Sequence, residues 1–288
     1  MTALGAALRH AGLTPRGLAA WASTDRLSAL RLRLHLLAHH DVTPASAALA
    51  LFVAGVRVPR PRLLEGVWPE LVARGWIVDD RATVAILPVG GSLMVCDRSG
   101  WPDDSSYHLV GALSGMRAER WLDLGCGAGF APLSRPDLAP SITGIELDEV
   151  AVGHARASCE LSGIGHVTVR AGDLASIETG SFDLITCNAP IPGDPDPSSW
   201  RRADPGFFNR LWSTALARAA PGATVVVHAA ADELSASLDG ERVVCVYTPD
   251  GVPAFGVMWW RPHAPANLVI IRRVLTIDRP HVDAADRG

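Results

Sequence analysis

Residues 121–130 read Trp-Leu-Asp-Leu-Gly-Cys-Gly-Ala-Gly-Phe, an apolar run interrupted by one acid, Asp123, and followed by Gly125, Gly127 and Gly129 at alternate positions. Such a run is a buried strand that turns sharply into a helix. Glycine is needed there because side chains would collide with a ligand lying across the strand's carboxyl end. A tight βα turn without a ligand also favours glycine, so the surroundings must decide between the two. The dinucleotide fingerprint Gly-x-Gly-x-x-Gly does not fit, since its third glycine would fall at position 130, which is Phe130.

Working outward, short apolar strands at 120–124, 141–146, 166–171, 182–187 and 223–229 alternate with helical stretches. Alternation of this kind predicts a parallel sheet with crossover helices. Three further strand-like runs, at 242–247, 255–260 and 268–275, leave little room for helices between them, so the sheet should end antiparallel. Which two of the three complete the main sheet stays open. Glu146 ends the second strand 23 residues after Asp123, and Asp173 closes the third. An acid at the second strand's tip can accept both hydroxyls of a ribose, and an Asp at the third can take an adenine amino group. Each acid alone is an ordinary exposed turn residue, but three at successive strand ends point to one nucleoside site.

The Asp-x-Gly-x-Gly-x-Gly spacing with its two downstream acids resembles the first motifs of class I S-adenosylmethionine-dependent methyltransferases. That resemblance covers about residues 101–276 and implies an α/β, Rossmann-like, doubly wound seven-stranded sheet with S-adenosylmethionine as cofactor. It implies a cofactor site of Asp123, Gly125, Cys126, Gly127, Gly129, Glu146, Leu147, Asp173, Leu174 and Asn188. In the same family the segment 101–109, Trp-Pro-Asp-Asp-Ser-Ser-Tyr-His-Leu, enters a short helix over the cofactor, which puts Asp103, Asp104, Ser105 or Tyr107 within reach. A helix N-cap at Asp104 or Ser105 is the alternative.

At the tip of the fourth strand, Asn188-Ala189-Pro190-Ile191 resembles the Asn-Pro-Pro-aromatic motif of amino-methylating family members, with Ala189 for the first proline and Ile191 for the aromatic residue. A conjugated amino nitrogen is a poor nucleophile that attacks better when its hydrogens are held by an amide oxygen and a main-chain carbonyl. Asn188, Ala189 and Pro190 are therefore the expected catalytic residues. Loss of the aromatic platform forfeits about 1–3 kcal/mol of stacking on a base and turns the expectation from a nucleobase to a small metabolite. The proline-rich stretch 192–208 reads as a substrate lid. Its Asp194, Asp196 and Asp204 suit a cation and its Arg201 and Arg202 an anion, so a zwitterion such as an amino acid would satisfy both. Tyr107, Ile191, Trp200 and His228 are the expected substrate contacts, with Phe207 and Phe208 closing or packing the pocket. His228, at the tip of the fifth strand, is the one histidine placed to act as a base. The histidines lack ligand spacing, so no metal is expected.

Residues 1–85 read as a smaller, mainly helical, winged-helix-like N-terminal domain, ahead of a methyltransferase domain at 86–288. Leu27, Leu30, Leu34 and Leu37 recur at helical spacing, Thr43-Pro44 opens a helix running to about Ala54, and short helical pieces lie near 61–65 and 69–74. Residues 75–87 alternate around Asp79-Asp80 as a small hairpin. The would-be recognition segment, 68–75, carries one arginine beside one glutamate, poor equipment for gripping phosphates.

Of 288 residues, 48% are apolar and 19% charged, with a net charge of −4. That balance exerts no general pull on nucleic acid. All 26 basic residues are arginine, which excludes lysine chemistry and a P-loop. Five scattered cysteines without a Cys-x-x-Cys pair argue for buried thiols in a reducing compartment. No signal-like or membrane-spanning run occurs, so a cytoplasmic protein is expected. The expectation is an N-methyltransferase of a small metabolite, acting as a homodimer without nucleic-acid or membrane partners. The alternatives are an N-methyltransferase of ribosomal RNA, transfer RNA or a protein glutamine, and a non-enzymatic DNA-binding regulator.

Overall fold

The computed structural model describes residues 1–31, 42–97, 100–177, 180–192, 202–235, 238–248 and 254–273. The chain opens with helices Ala3–His10, Pro15–Ala22 and Leu27–Arg31. Thr2 and Thr14 cap the first two, their hydroxyls accepting the main-chain N–H groups of Gly5 at 3.1 Å and Gly17 at 3.0 Å. Leu34 and Leu37 lie outside the described residues. The helix expected from Pro44 begins instead at Ala47, because Thr43 and Ser46 bond each other and hold the segment before it in a turn. It continues as a π-helix, Ala50–Ala54, and stops at Gly55, whose φ is +69°.

Two hairpins follow. The strands β1 (Ile77–Val78) and β2 (Arg81–Ala82) turn through Asp79 and Asp80, both with positive φ, a conformation Asp tolerates. Next, β3 (Ala85–Val89) and β4 (Ser92–Cys96) pair antiparallel, and every residue of both is buried. This second hairpin straddles the position where one domain was expected to give way to the next. It packs against the long helix Glu149–Ser162. One hydrophobic cluster accordingly runs from Leu4, Leu8 and Phe52 through Leu87 and Val95 to Trp121, Val152 and Leu161.

The main sheet holds β5 (Arg120–Leu124), β6 (Ser141–Glu146), β7 (Val167–Ala171) and β8 (Phe182–Asn188). After a two-residue parallel pair, β9 (Ile191–Pro192) with β10 (Arg202–Ala203), it adds β11 (Ala219–Ala230), β12 (Glu241–Tyr247), β13 (Phe255–Arg261) and β14 (Asn267–Arg273). The order is β14-β12-β13-β11-β8-β5-β6-β7. Among the described residues, eight strands thus stand where the resemblance implied seven. All three C-terminal runs join the sheet, and the additional β14 lies on the outer edge, paired parallel with β12 and exposed along its whole length. Only β13 runs against its neighbours. Trp121, Leu122 and Leu124 of β5 are fully buried, each contributing about 1.5–3 kcal/mol. A second apolar cluster, with Phe208, Leu211, Trp212 and Ala215 of the helix Phe207–Arg218, covers the opposite face. Successive strands run outward from β5 in one direction and then resume at β8 on its other side. The crevice at this switch point is where such sheets bind ligands.

Candidate functional site

A cavity of about 890 Å³ opens at the carboxyl ends of β5, β6 and β8 and is bounded by β4, β11, β13 and the helix Asp104–Ala112. Its size falls within the roughly 300–1,000 Å³ of small-molecule sites. The bend after β5 forms its floor. Gly125 and Cys126 both donate to the carbonyl of Ile145, at 2.8 and 3.1 Å, which ties the bend to β6. Gly125 (φ +66°) and Gly127 (φ +54°) would each project a Cβ into space free of described atoms within 4 Å, so the backbone there lies bare to the cavity. Gly129 behaves differently. With φ +88° it caps the helix Phe130–Ser134, its Cβ position faces Ala155 at 3.5 Å, and it does not line the cavity. Cys126 sits on the floor with its thiol toward Gly144, where an added Cβ would meet the sulfur at 2.7 Å. Burial pushes the pKa of that thiol well up.

The three strand-tip acids do converge. Asp123 is buried and accepts the Thr186 hydroxyl at 2.5 Å, while Trp121 Nε1 donates to the same Thr186 oxygen at 2.7 Å. Burial raises its pKa to about 7, against the pull of the Thr186 bond and with a further push from the charge of Glu146. Glu146 accepts the N–H of Gly127 at 2.8 Å on one oxygen and that of Asp148 at 3.0 Å on the other. Asp173, the exposed Leu147 and the buried Leu174 complete that side.

At the other end, Asn188, Ala189 and Pro190 line the wall, and the N–H of Ala189 donates to the carbonyl of His228 at 2.9 Å. Asn188 Nδ2 donates to Ser105 Oγ at 2.8 Å, and Ser105 in turn donates to Asp103. Asn188 Oδ1 and His228 Nε2 are buried without a hydrogen-bond partner among the described residues. The His228 imidazole is only 6% exposed, and burial, aided by the neighbouring His108 ring, lowers its pKa to about 4 against the charge of Asp103. At neutral pH it is uncharged. Phe255 packs on it at 5.4 Å between ring centroids, and His108 stacks on Tyr247 behind it at 4.7 Å.

Some expected contacts lie elsewhere. Tyr107 does not line the cavity: its hydroxyl accepts the N–H of Leu27 at 2.9 Å and its ring packs edge-on to Phe130, while Arg26 lies over its face. Trp200, Asp194, Asp196 and Arg201 fall outside the described residues, as do the side chains of Ile191 and Arg202. Asp204 is on the rim but is held by both oxygens to Arg210 at 2.7 Å, which largely neutralises it for a cationic guest. Met94 and Asp97, His154 and Phe255 also line the cavity, and no local pattern marks them. They come from a hairpin, a helix face and an antiparallel strand that tertiary packing alone brings to the crevice.

Residues 99–198 match the family described as the methyltransferase small domain. Over 88 residues the chain is 35% identical to the ubiquinone biosynthesis O-methyltransferase of Aromatoleum aromaticum, a match covering 30% of this chain and 38% of that protein. Over 124 residues it is 33% identical to the protein of the same description in Burkholderia cenocepacia, covering 40% and 50%. The chain thus spans half or less of the length of these relatives. A solved T. thermophilus 16S rRNA N2 G1207 methyltransferase, in complex with AdoMet and guanosine, aligns with TM-score 0.48 and 19% identity over 62% of this chain and 50% of that one.

Proposed function

We propose that this chain, whose residues 99–198 match the methyltransferase small domain, is a class I S-adenosylmethionine-dependent methyltransferase that methylates an amino nitrogen of a small metabolite such as an amino acid. When bound, the cofactor supplies a methyl group made electrophilic by its sulfonium. The bare bend at Gly125 and Gly127 fits it, because any Cβ there would occupy the cradle. Asp123 would place the methionine moiety and Glu146 the ribose hydroxyls, through lone pairs left by its two main-chain bonds. Asp173, Leu147 and Leu174 would border the adenine.

One observation carries the transfer end: Asn188 Oδ1 is buried at the tip of β8 with no partner among the described residues. A buried polar atom left unmatched costs about 1–3 kcal/mol, and the N–H of a guest amine would supply its match. A free amine needs little acid-base help against a cationic leaving group, so positioning supplies most of the rate. In this reading the small molecule is the partner, nucleic acid and membranes play no part, and a homodimer acts in the cytoplasm. The net charge of −4 supports the exclusion of nucleic acid. The test is incubation with methyl-labelled cofactor and separate pools of small amines, RNA and protein. Label is expected in the small-amine pool, and label confined to RNA or protein overturns the reading.

A second reading, transfer to a hydroxyl, has the support of His228, a buried neutral imidazole beside Phe255 with Nε2 unpartnered among the described residues. Such a group can take the proton that a hydroxyl must lose. The description of the curated relatives as O-methyltransferases is consistent with it.

A further inference from the structure

The amide of Asn188 can sit either way round, and the chemistry of the site depends on which of its atoms faces the guest. Its neighbour decides the matter. A serine hydroxyl has a single hydrogen and two lone pairs. Ser105 Oγ lies in close hydrogen-bond contact with Asp103 Oδ1, and a carboxylate can only accept, so the one hydrogen of Ser105 is committed to Asp103. Toward Asn188, 2.8 Å away, Ser105 can therefore only accept. The amide nitrogen must face Ser105, and the carbonyl oxygen must face away from it. Were the amide reversed, two oxygens would meet at that distance with no hydrogen between them. Asp103 is itself fixed, since it caps the helix Asp104–Ala112 and accepts the N–H of Ser106 at 3.3 Å.

We infer that Asp103 and Ser105 are positioning residues that lock the Asn188 amide with its nitrogen on Ser105 and its carbonyl oxygen as the one amide atom left for a guest, so that a guest group meeting that oxygen must bring its own hydrogen. Amines, amides and hydroxyls meet that demand, whereas a carboxylate or thioether would set acceptor against acceptor. The inference rests on the methyl-transfer reading for what the guest is, but the lock itself can be measured without any guest.

The chain has three asparagines, Asn188, Asn209 and Asn267, so selective nitrogen-15 labelling of asparagine yields three side-chain amide pairs. Asn188→Asp assigns the relevant pair by its disappearance. Asn209 and Asn267 are exposed and serve as internal monitors of the fold. In the native protein the Asn188 pair should exchange its hydrogens with water about tenfold more slowly than the Asn267 pair. Ser105→Ala should accelerate that exchange to the exposed rate and move the pair's shifts, while Ser105→Thr, which keeps the hydroxyl, should restore both. An Asn188 pair unchanged in Ser105→Ala, or unrestored by Ser105→Thr, overturns the lock. Calorimetry of the wild-type chain with S-adenosylhomocysteine separates the two ideas: absence of heat removes the methyl-transfer reading, whereas the amide exchange decides the lock.

Discussion

Glu146, at the tip of β6, accepts the main-chain N–H of Gly127, in the bend that follows β5, at 2.8 Å. Its second oxygen takes the N–H of Asp148 at 3.0 Å. The carboxylate is thus held in place before any ligand arrives, and strand tip and glycine bend form one frame. Glu146→Gln keeps the shape but replaces one acceptor with an NH₂ group, which must then confront one of the two N–H groups. The expected result is S-adenosylhomocysteine affinity weakened by about 1–3 kcal/mol, roughly ten- to a hundredfold, in a calorimetric titration. Unchanged affinity would remove Glu146 from the binding site.

Burial of Asp123 has a consequence for stability. Its pKa stands at about 7 in the fold against the ordinary carboxyl value of 3.8, so over that interval the folded protein retains a proton that the unfolded chain has released. The stabilisation is complete below about pH 4 and is lost as the pH rises through about 7. In Asp123→Asn this loss disappears, because the amide does not titrate. Denaturant unfolding of both proteins from pH 5 to pH 8 should show a steeper decline in the wild type, and parallel curves would contradict the raised pKa.

Gly127 and Gly129 should separate binding from folding. Both have positive φ, so alanine strains the backbone by roughly 1–2 kcal/mol at either position. Gly127→Ala also places a methyl in the cradle, whereas Gly129→Ala places it against Ala155 and Leu133, away from the cavity. Thermal unfolding should fall for both. Titration with S-adenosylhomocysteine should lose at least tenfold in affinity for Gly127→Ala and hold near the wild-type value for Gly129→Ala, a loss of about 1.4 kcal/mol or more at the first site. Equal binding losses would return Gly129 to the site.

The parallel part of the sheet was legible because its signals are local. β5 and β6 lie at 120–124 and 141–146 as their apolar runs indicate, and the acids at their ends share a cavity because strand ends in such a sheet must. Tyr107 misled because its position ahead of β5 says nothing of the Leu27 main chain that takes its hydroxyl. The hairpin β3–β4 escaped notice for a similar reason. All ten residues of its two strands are buried without alternation, and what satisfies the free edge of β4 lies more than sixty residues downstream. Met94, His154 and Phe255 reach the cavity only through such distant packing.

That edge carries the last prediction. Ser158 and Ser162, one turn apart on the helix Glu149–Ser162, accept the main-chain N–H groups of Val95 at 2.8 Å and Leu93 at 2.9 Å, doing for β4 what a neighbouring strand would do. Ser158 is fully buried and its own hydrogen goes to the carbonyl of His154 at 2.7 Å, so its hydroxyl is satisfied in both senses. Ser158→Ala strands a buried N–H and should cost about 1–3 kcal/mol, with Ser162→Ala at the half-buried position nearer 1. Because β4 carries Met94 into the cavity wall, the double variant should also loosen the site. Urea unfolding should show the loss, and the Val95 amide should exchange with water markedly faster. A double variant within about 0.5 kcal/mol of the wild type, with Val95 still protected, would mean that the hairpin is held by apolar packing alone and that the serines are incidental.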